Sequence, residues 1–365
     1  MLDSAFKIWF TLPSETQVVL EAGMREAVTL SDVAREAGVS PSTVSRVING
    51  TARVAASKRE AVLRAIERLH YRPNILAKGL AQGRSLTIGV ITQEISSPYY
   101  GEMLKGVEQA LEGTTYHPIF ASGHWRVDQE EAALKVLVSR QVDGLIVMDG
   151  SVPEERLQEL AHTMPVVVVG RKIPGLQCLG IDNRQGAYEG VQHLIELGHR
   201  RIAHIAGPTS HPDAIERLEG YRAALEDAHI PFDPALVVVG DYMEQSGLLA
   251  VEALLARGAL FTAIFAANDQ MAYGANVALY RRGIRVPHDV SLVGFDDLPS
   301  SSYFTPPLTT VRQPGPAMGW EAARLILALL EGRDYTPKPL STQLVVREST
   351  ALIRSSGALA AHLLT

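Results

Sequence analysis

The sequence predicts an α/β protein in which a small, all-helical N-terminal unit precedes a larger core of parallel sheets. Three observations support this fold class. At 365 residues the chain exceeds one ordinary hydrophobic core. Residues 28–73 show the periodicity of short amphipathic helices and no strand pattern. Across residues 85–354, runs of β-branched residues alternate with amphipathic stretches, a pattern typical of parallel strands covered by helices on both faces.

Composition excludes several classes of protein. Hydrophobic residues make up 46% of the chain, and no apolar run reaches the roughly 20 residues that span a bilayer. The single cysteine, Cys178, rules out an internal disulfide framework and suits a reducing compartment, so a cytoplasmic protein is expected. Residues 1–27 are predicted to be a disordered extension or a start codon assigned too early, because the apolar patch around Trp9 follows no basic run and precedes no cleavage site.

Charge is divided unevenly along the chain. Residues 25–84 hold 11 Lys and Arg against 5 Asp and Glu, whereas residues 85–365 carry a net charge of −10. A small basic block joined to a large acidic body is typical of a nucleic-acid-binding module attached to a domain with another task.

The first two predicted helices meet at a tight turn. One lies within residues 29–39 and ends at Gly38, which supplies the positive φ that a tight exit needs. The next lies within residues 40–50, with Ser40 as its N-cap and Pro41 at its first helical position. This arrangement, in which a helix and a glycine-containing turn precede a second helix rich in Ser and Thr, is the one that places a recognition helix in the major groove of DNA.

The outward side chains of this second helix fit that role. Arg46 can donate two hydrogen bonds to guanine. Small polar side chains that can bond phosphates or base edges surround it: Ser40, Ser42, Thr43, Ser45 and Asn49. A third helix is predicted from a capping box of Ser57 and Glu60, with four apolar side chains facing inward: Val62, Leu63, Ile66 and Leu69.

Residues 28–49, VTLSDVAREAGVSPSTVSRVIN, resemble the signature of the LacI/GalR (lactose/galactose repressor) family. HYRPN at 70–74 and SLTIGV at 85–90 resemble the next landmarks of that family. The resemblance implies a DNA-binding transcriptional repressor, not an enzyme, that needs no cofactor. It also implies a helix-turn-helix domain over residues 28–73 and a two-lobed, periplasmic-binding-protein-like core over residues 85–354, with a small effector bound between the lobes.

By the same resemblance, residues 74–84 form a hinge helix and linker that folds when two subunits meet on an operator. Leu80 would then be a wedge between base pairs in the minor groove, and Asn74 would contact the DNA backbone. Taken alone, the segment is a marginal helix weakened by Gly79, and its pattern equally describes a plain linker.

Strands and helices alternate in the core. The predicted strands are Thr87–Ile91, Gly144–Met148, Val166–Val169, Arg201–Ile205, Leu236–Val239, Ala263–Ala266 and Ser291–Gly294. The predicted helices are Tyr100–Leu111, Asp128–Arg140, Gly186–Leu197, Glu216–Asp227 and Met271–Arg282. Ligands of open α/β sheets bind beyond the carboxyl ends of the strands, so the polar residues that follow these strands are candidates for the site.

Carboxylates, amides, arginines and aromatic rings follow the strands, a mixture that suits a small polyhydroxyl ligand. The resemblance implies that two rings flank the effector: Tyr100 and Tyr242. It implies that four polar side chains bond the effector: Arg217, Asn268, Asp296 and Gln313. Arg171 stands where family members differ by ligand. Asp182 is equally an effector contact or the N-cap of the helix that follows it, and Asp269, also before a helix, is expected to be structural.

Other functions fit the sequence less well. His193, His199 and His204 are not spaced to surround one metal ion, and no glycine-rich phosphate loop follows a strand. A transport-type binding protein would need an export signal, and a sugar-acting enzyme would need an acid/base pair. A purine or nucleoside effector stays open, because the rings of Tyr99, Tyr100 and Tyr242 could enclose a flat base.

The expected partners are a sugar effector, operator DNA and a second copy of the chain, with no membrane. One recognition helix contacts too few base pairs for specificity, so a homodimer on a pseudo-palindromic operator is expected. The tail, residues 355–365, is too short for a heptad zipper, which favours a dimer over a tetramer. The sugar is expected to be an inducer, although a corepressor needs only the opposite bias of the same two states.

Overall fold

The computed structural model describes residues 28–49, 53–71 and 83–353, except for the side chain of Asn49. These residues form two compact units that divide between Gly83 and Arg84. The predicted N-terminal extension, the segment that contains Asn74 and Leu80, and the predicted C-terminal tail lie outside the described residues.

Three helices build the N-terminal unit: α1 (Leu30–Ala37), α2 (Pro41–Asn49) and α3 (Ala56–Arg68). Gly38 ends α1 with a φ of 62°, as predicted. The side chains that meet between the helices form a small core of Val33, Ala34, Val44, Val62, Ala65 and Tyr71.

Two details predicted for α3 are wrong. The helix follows Ala55 and starts one residue before Ser57, so the Ser57 hydroxyl lies in the first turn and no side chain caps this end. Leu63 is 51% exposed, because the buried face of α3 contains its neighbour Val62 and Ala65 instead. A capping box is present instead on α1, where Thr29 and Asp32 exchange hydrogen bonds between side chain and backbone.

A five-stranded parallel sheet begins the C-terminal unit, with the strand order β2-β1-β3-β4-β5. Its strands are β1 (Thr87–Thr92), β2 (His117–Ser122), β3 (Gly144–Met148), β4 (Val166–Val169) and β5 (Gln177–Leu179). The helices that connect them are α4 (Pro98–Leu111), α5 (Val127–Ser139) and α6 (Glu154–Ala161). The two faces of the sheet pack against separate apolar clusters, so β1 and β3 are buried on both sides.

The second sheet has the order β11-β10-β9-β8-β6-β7, and β11 is antiparallel to β10 while the other pairs are parallel. Its strands are β6 (Ile202–Ala206), β7 (Val237–Val239), β8 (Ala263–Ala266), β9 (Ser291–Asp296), β10 (Thr309–Arg312) and β11 (Gln343–Val345). The helices around it are α7 (Asn183–Glu196), α8 (Pro212–Asp227), α9 (Glu244–Ala256) and α10 (Asp269–Arg281).

The last helix, α11 (Gly315–Glu331), returns to the first sheet and packs on α4. Their backbones touch at glycines: a Cβ on Gly106 would lie 2.0 Å from the carbonyl oxygen of Pro316, and one on Gly319 would lie 1.9 Å from that of Met103. We call β1–β5 with α4–α6 and α11 lobe 1, and β6–β11 with α7–α10 lobe 2. The α/β fold class is confirmed, and no helix in the described ranges is long and apolar enough to cross a membrane.

Candidate functional site

A cavity of about 160 Å³ lies between the two lobes of the C-terminal unit. Sites for drug-sized ligands usually measure about 300–1,000 Å³, so this cavity suits a smaller ligand. Six of the eight predicted effector residues line it: Tyr100, Arg217, Tyr242, Asn268, Asp296 and Gln313. The wall also contains Tyr99, considered above for a purine, and side chains to which the sequence assigned no role: Glu94, Ser97, Trp125, Asp149, His211, Asp213, Asp241, Met243 and Gln270.

Arg217, on α8, is the buried cation of this wall and is held by several partners. Its Nε donates to the side-chain oxygen of Asn183 at 3.0 Å, and its Nη1 donates to the carbonyl oxygen of Ala267 at 2.5 Å. The carboxylates of Asp213 and Asp296 lie 3.5 Å from Nη2 and 3.8 Å from Nη1. The guanidinium is therefore a fixed charge that orients both carboxylates.

A hydrogen-bonded chain connects the lobes through Gln313, which follows β10. The Nε2 of Gln313 donates to the carboxylate of Asp296 at 2.6 Å, and its Oε1 accepts from the hydroxyl of Tyr99 in lobe 1 at 3.3 Å. Burial raises the pKa of Asp296 well above its usual range, while the charge of Arg217 opposes that rise. Gln313 thus links the two lobes at the floor of the site.

Each lobe also contributes a tyrosine bonded to a carboxylate. The hydroxyl of Tyr100 donates to Asp149 at 2.9 Å in lobe 1, and that of Tyr242 donates to Asp213 at 2.7 Å in lobe 2. Burial raises the pKa of Asp149 to about 7, and the charge of Asp213 raises it as well. Burial therefore favours the protonated carboxyl of Asp149, while the hydrogen bond from Tyr100 favours its charged form.

Backbone strain is concentrated at the same wall. Trp125, Asp149, Tyr242 and Asp296 have φ values of 54°, 55°, 70° and 116°. Such values are uncommon outside glycine and cost about 1–3 kcal/mol each where the surrounding structure imposes them. Each residue ends or follows a strand, so the backbone is bent where it must direct a side chain into the cavity.

Asn268 has a structural task beside its place in the wall. Its side-chain oxygen accepts from the backbone NH of Met271 at 2.9 Å, which makes it the N-cap of α10. Its Nδ2 donates to the carbonyl oxygen of Tyr242 at 2.9 Å. The amide therefore holds the strained Tyr242 loop against α10.

Two of the predicted effector residues do not line the cavity. Arg171 turns back to its own lobe, where it donates to the carbonyl oxygens of Gly150 at 2.7 Å and Val152 at 2.9 Å. Asp182 accepts from the backbone NH of Gln185 at 2.8 Å and is the N-cap of α7. Both residues follow a strand, as the sequence rule requires, but their side chains are used to hold loops and helix ends.

Asp269 is buried behind the wall and accepts three hydrogen bonds. Its carboxylate receives the backbone NH of Leu298 at 2.9 Å and the hydroxyls of Ser301 and Thr310, each at 2.5 Å. The structural role expected for it matches these contacts. Burial raises its pKa to about 7.

The three histidines considered for a metal have separate protein partners. His193 contacts the hydroxyl of Thr350 at 3.0 Å, and one ring nitrogen of His204 contacts the carbonyl oxygen of Phe265 at 2.9 Å. His199 contacts Thr262 and Ser291, each at 2.9 Å. Within the part of the chain that the structure describes, no group of metal-ligating side chains is assembled.

The N-terminal unit places three of the predicted DNA-contacting side chains, Ser42, Ser45 and Arg46, on neighbouring positions of one side of α2. Ser45 and Arg46 lie three and four residues after Ser42, about one helical turn, and Arg46 is exposed. Ser40 begins the helix, with its hydroxyl accepting from the backbone NH of Thr43 at 3.3 Å. Asn49 ends the helix, and its side chain lies outside the described atoms, as do Asn74 and Leu80.

Comparison with known proteins accounts for both units. Residues 29–74 match bacterial regulatory proteins of the lacI family, and residues 191–350 match a periplasmic binding protein-like domain. The HTH-type transcriptional regulator GalR of Salmonella typhimurium is 40% identical over 335 residues, which cover 90% of this chain and 98% of that protein. The chain belongs to the LacI family.

Solved structures of this family share the fold. The lac repressor dimer bound to operator and the anti-inducer ONPF has a TM-score of 0.80 at 32% identity, covering 89% of this chain and 100% of that one. The complex of the transcriptional regulator CelR with cellobiose has a TM-score of 0.66 at 38% identity, covering 88% and 99%. The chain is therefore a LacI-family DNA-binding transcriptional repressor, and its relatives are regulators rather than enzymes.

Proposed function

We propose that this LacI-family repressor binds a pseudo-palindromic operator as a homodimer and leaves it when a small, uncharged sugar binds between the lobes. The observation that carries the proposal is a wall in which Asp213 and Asp296 flank the buried guanidinium of Arg217 and Asp149 adds a further carboxyl group. A ligand with many hydroxyl groups complements this wall, because each hydroxyl can donate to a carboxylate and accept from another donor.

The charge of the wall favours a sugar over a sugar phosphate. Arg217 is the one arginine among the lining residues that the structure describes. Its NH groups already donate to the oxygens of Asn183 and Ala267 and lie beside the carboxylates of Asp213 and Asp296. A phosphate placed here would face Asp149 and Asp213 with no spare cation among the lining residues. The proposed effector is therefore an unphosphorylated sugar.

The relatives support the other parts of the proposal. The lac repressor structure contains a dimer on an operator, and the CelR structure contains cellobiose. A two-fold dimer presents two recognition helices to two half-sites, which suits a pseudo-palindromic operator. The roles of Asn74 as a DNA-backbone contact and Leu80 as a minor-groove wedge belong to this proposal on the family resemblance.

A purine or nucleoside is the second candidate for the effector, and the aromatic rings of the wall favour it. Tyr99 and Tyr100 lie edge to face with centroids 5.0 Å apart, and Trp125, His211 and Tyr242 add three more rings to the wall. Such rings can enclose a flat base as well as the apolar face of a sugar. In either case the sign of regulation follows from which conformation the ligand stabilises, and a corepressor is the alternative to the inducer.

A thermal-shift panel tests the proposed effector class. The full-length protein is mixed with glucose, galactose, ribose, cellobiose, their phosphates, adenine, guanine and adenosine. An uncharged sugar at 100 times its Kd is expected to raise Tm by several degrees, since binding adds roughly 2.7 kcal/mol, and its phosphate is expected to raise it less. Asp296→Asn should remove the shift and Asp182→Asn should keep it. A response to purines alone would replace the sugar by the second candidate.

Arg46→Ala tests the proposed DNA contact. We expect operator binding to weaken by about 1–3 kcal/mol and discrimination at one base pair to relax, because a guanidinium can bond both acceptors of a guanine. Fluorescence anisotropy on an operator fragment and on a scrambled fragment measures both effects. Arg35→Ala, on the exposed surface of α1, is the matched control. Equal loss on both fragments would make Arg46 a phosphate contact instead.

A further inference from the structure

One contact between the lobes is made by two aromatic rings. The indole of Trp125, in the loop after β2 of lobe 1, stacks on the imidazole of His211, before α8 of lobe 2. Their centroids are 3.7 Å apart and their planes are inclined by 19°. Both side chains line the cavity, so this pair closes one side of it.

The lobe 1 partner is held in a strained, well-anchored loop. His124 and Trp125 have φ values of 53° and 54°. The carbonyl oxygen and the side-chain oxygen of Gln93 accept from the backbone NH groups of His124 at 2.8 Å and Trp125 at 3.0 Å. Gln93 is fully buried and also donates from Nε2 to the carbonyl oxygen of Met148 at 3.3 Å. The backbone that carries the indole is therefore fixed to the ends of β1 and β3.

The lobe 2 partner carries a polar atom without a protein partner. His211 is the N-cap residue of α8, yet its side chain makes no capping hydrogen bond. Its ring is 8% exposed, and its Nδ1 meets no donor or acceptor among the described residues. Buried polar atoms in proteins nearly always have a partner, and a ligand in the cavity would supply one to Nδ1.

The charge state of this ring suits a hydroxyl group. Burial lowers the pKa of His211, although the nearby carboxylate of Asp213 opposes that effect. The charged and titratable side chains that line the same cavity are Glu94, Tyr99, Tyr100, Asp149, Asp213, Arg217, Asp241, Tyr242 and Asp296. A neutral imidazole can either accept a hydrogen bond at Nδ1 or donate one, and a sugar hydroxyl complements both forms.

We propose that His211 binds the effector through Nδ1 and that Trp125 positions its ring while closing the cavity. The proposal rests on the proposed function, since it needs an effector between the lobes. It adds a specificity residue on lobe 2 and a positioning residue on lobe 1 that the sequence did not indicate. Effector release then requires the two rings to separate.

The test measures the Kd of the tightest-binding compound from the panel above by isothermal titration calorimetry on full-length protein. His211→Phe keeps a ring for Trp125 and removes Nδ1, and we expect an affinity loss of about tenfold. His211→Asn restores a polar atom and should recover part of the affinity relative to an alanine substitution. His288→Phe, at an exposed histidine of lobe 2, is the matched control and should leave the Kd unchanged.

Fluorescence tests the positioning role. The chain holds three tryptophans, so Trp9→Phe with Trp320→Phe leaves Trp125 as the single reporter. Addition of the same compound is expected to change the Trp125 emission, and a further His211→Ala substitution should reduce that change at least twofold. If the Trp125 emission does not change when the compound binds, the proposed role of Trp125 is overturned.

The outcomes separate this inference from the proposed function. Sugar binding that is equally tight in His211→Phe and wild type overturns the inference and leaves the proposed function intact. Purine binding that His211→Phe weakens tenfold upholds the inference and overturns the sugar. If no compound of either class binds, both are overturned. If His211→Phe unfolds, His211→Asn is compared with His211→Ala instead. Tighter binding by His211→Asn upholds the inference, and equal binding by the two variants overturns it.

Discussion

Arg217→Met is expected to lower the free energy of unfolding of the C-terminal unit by about 3–5 kcal/mol and to abolish effector binding. The methionine fills most of the volume but leaves Asp213 and Asp296 facing each other without their shared cation, and it leaves the Asn183 and Ala267 oxygens without a donor. Removing one partner of a buried ion pair has a large effect because the remaining charge stays desolvated.

Urea denaturation followed by circular dichroism measures this loss. Arg222→Met is the matched control, because Arg222 lies on the same helix and exposes its guanidinium beside the ring of Phe232. That substitution should change the free energy by less than about 1 kcal/mol. A loss below 1 kcal/mol for Arg217→Met would show that the guanidinium does not organise the wall.

Asp269→Ala should have the second large effect, again of about 3–5 kcal/mol. Its carboxylate joins the start of α10 to the backbone of Leu298, the hydroxyl of Ser301 and the hydroxyl of Thr310 on β10. Each donor would lose a charged partner in a buried place, at about 1.5–3 kcal/mol per hydrogen bond before relaxation. The same denaturation experiment gives the value.

Asp182→Ala provides the comparison, since both carboxylates stand at a helix start. Asp182 accepts one hydrogen bond at an exposed helix end, so its loss should cost about 1 kcal/mol, the usual effect of an N-cap. Similar costs for the two substitutions would mean that Asp269 acts as a cap and that its contacts with the β9–β10 region contribute little.

The sequence predicted the elements whose burial is nearly complete. The strands Gly144–Met148, Val166–Val169 and Ala263–Ala266 coincide with their predicted bounds, because a strand buried on both faces is a continuous β-branched or apolar run. The strands that were not predicted are short or partly exposed ones: β2, β5, β10 and β11. β2 contains Pro118 and has no fully buried residue, so its pattern is weak.

Helix α11 was not predicted for a related reason. Gly315 and Gly319 lower the helix propensity of its first turns. The structure shows that Gly319 allows the close approach of α4, a contact with a residue more than 200 positions away. A local pattern carries no information about such a long-range contact, so tertiary packing overrides the propensity.

The site was predicted in part by one rule. The search after strand ends, together with the family resemblance, gave six lining side chains. It did not single out Asp149 and His211, which follow β3 and β6, and it could not reach Trp125, because β2 was not predicted. What the rule lacks is the direction of each side chain. Arg171 follows β4 but turns to the loop at Gly150, and only coordinates show that difference.

Operator release is the most direct test of the central claim, that a sugar between the lobes controls DNA binding. Fluorescence anisotropy of a labelled operator fragment with full-length protein is measured without and with a saturating amount of the best-binding sugar. We predict that the apparent Kd for the operator rises at least tenfold with wild type and stays unchanged with Asp296→Asn. A sugar that binds the protein and leaves the operator Kd of wild type unaltered would contradict the claim.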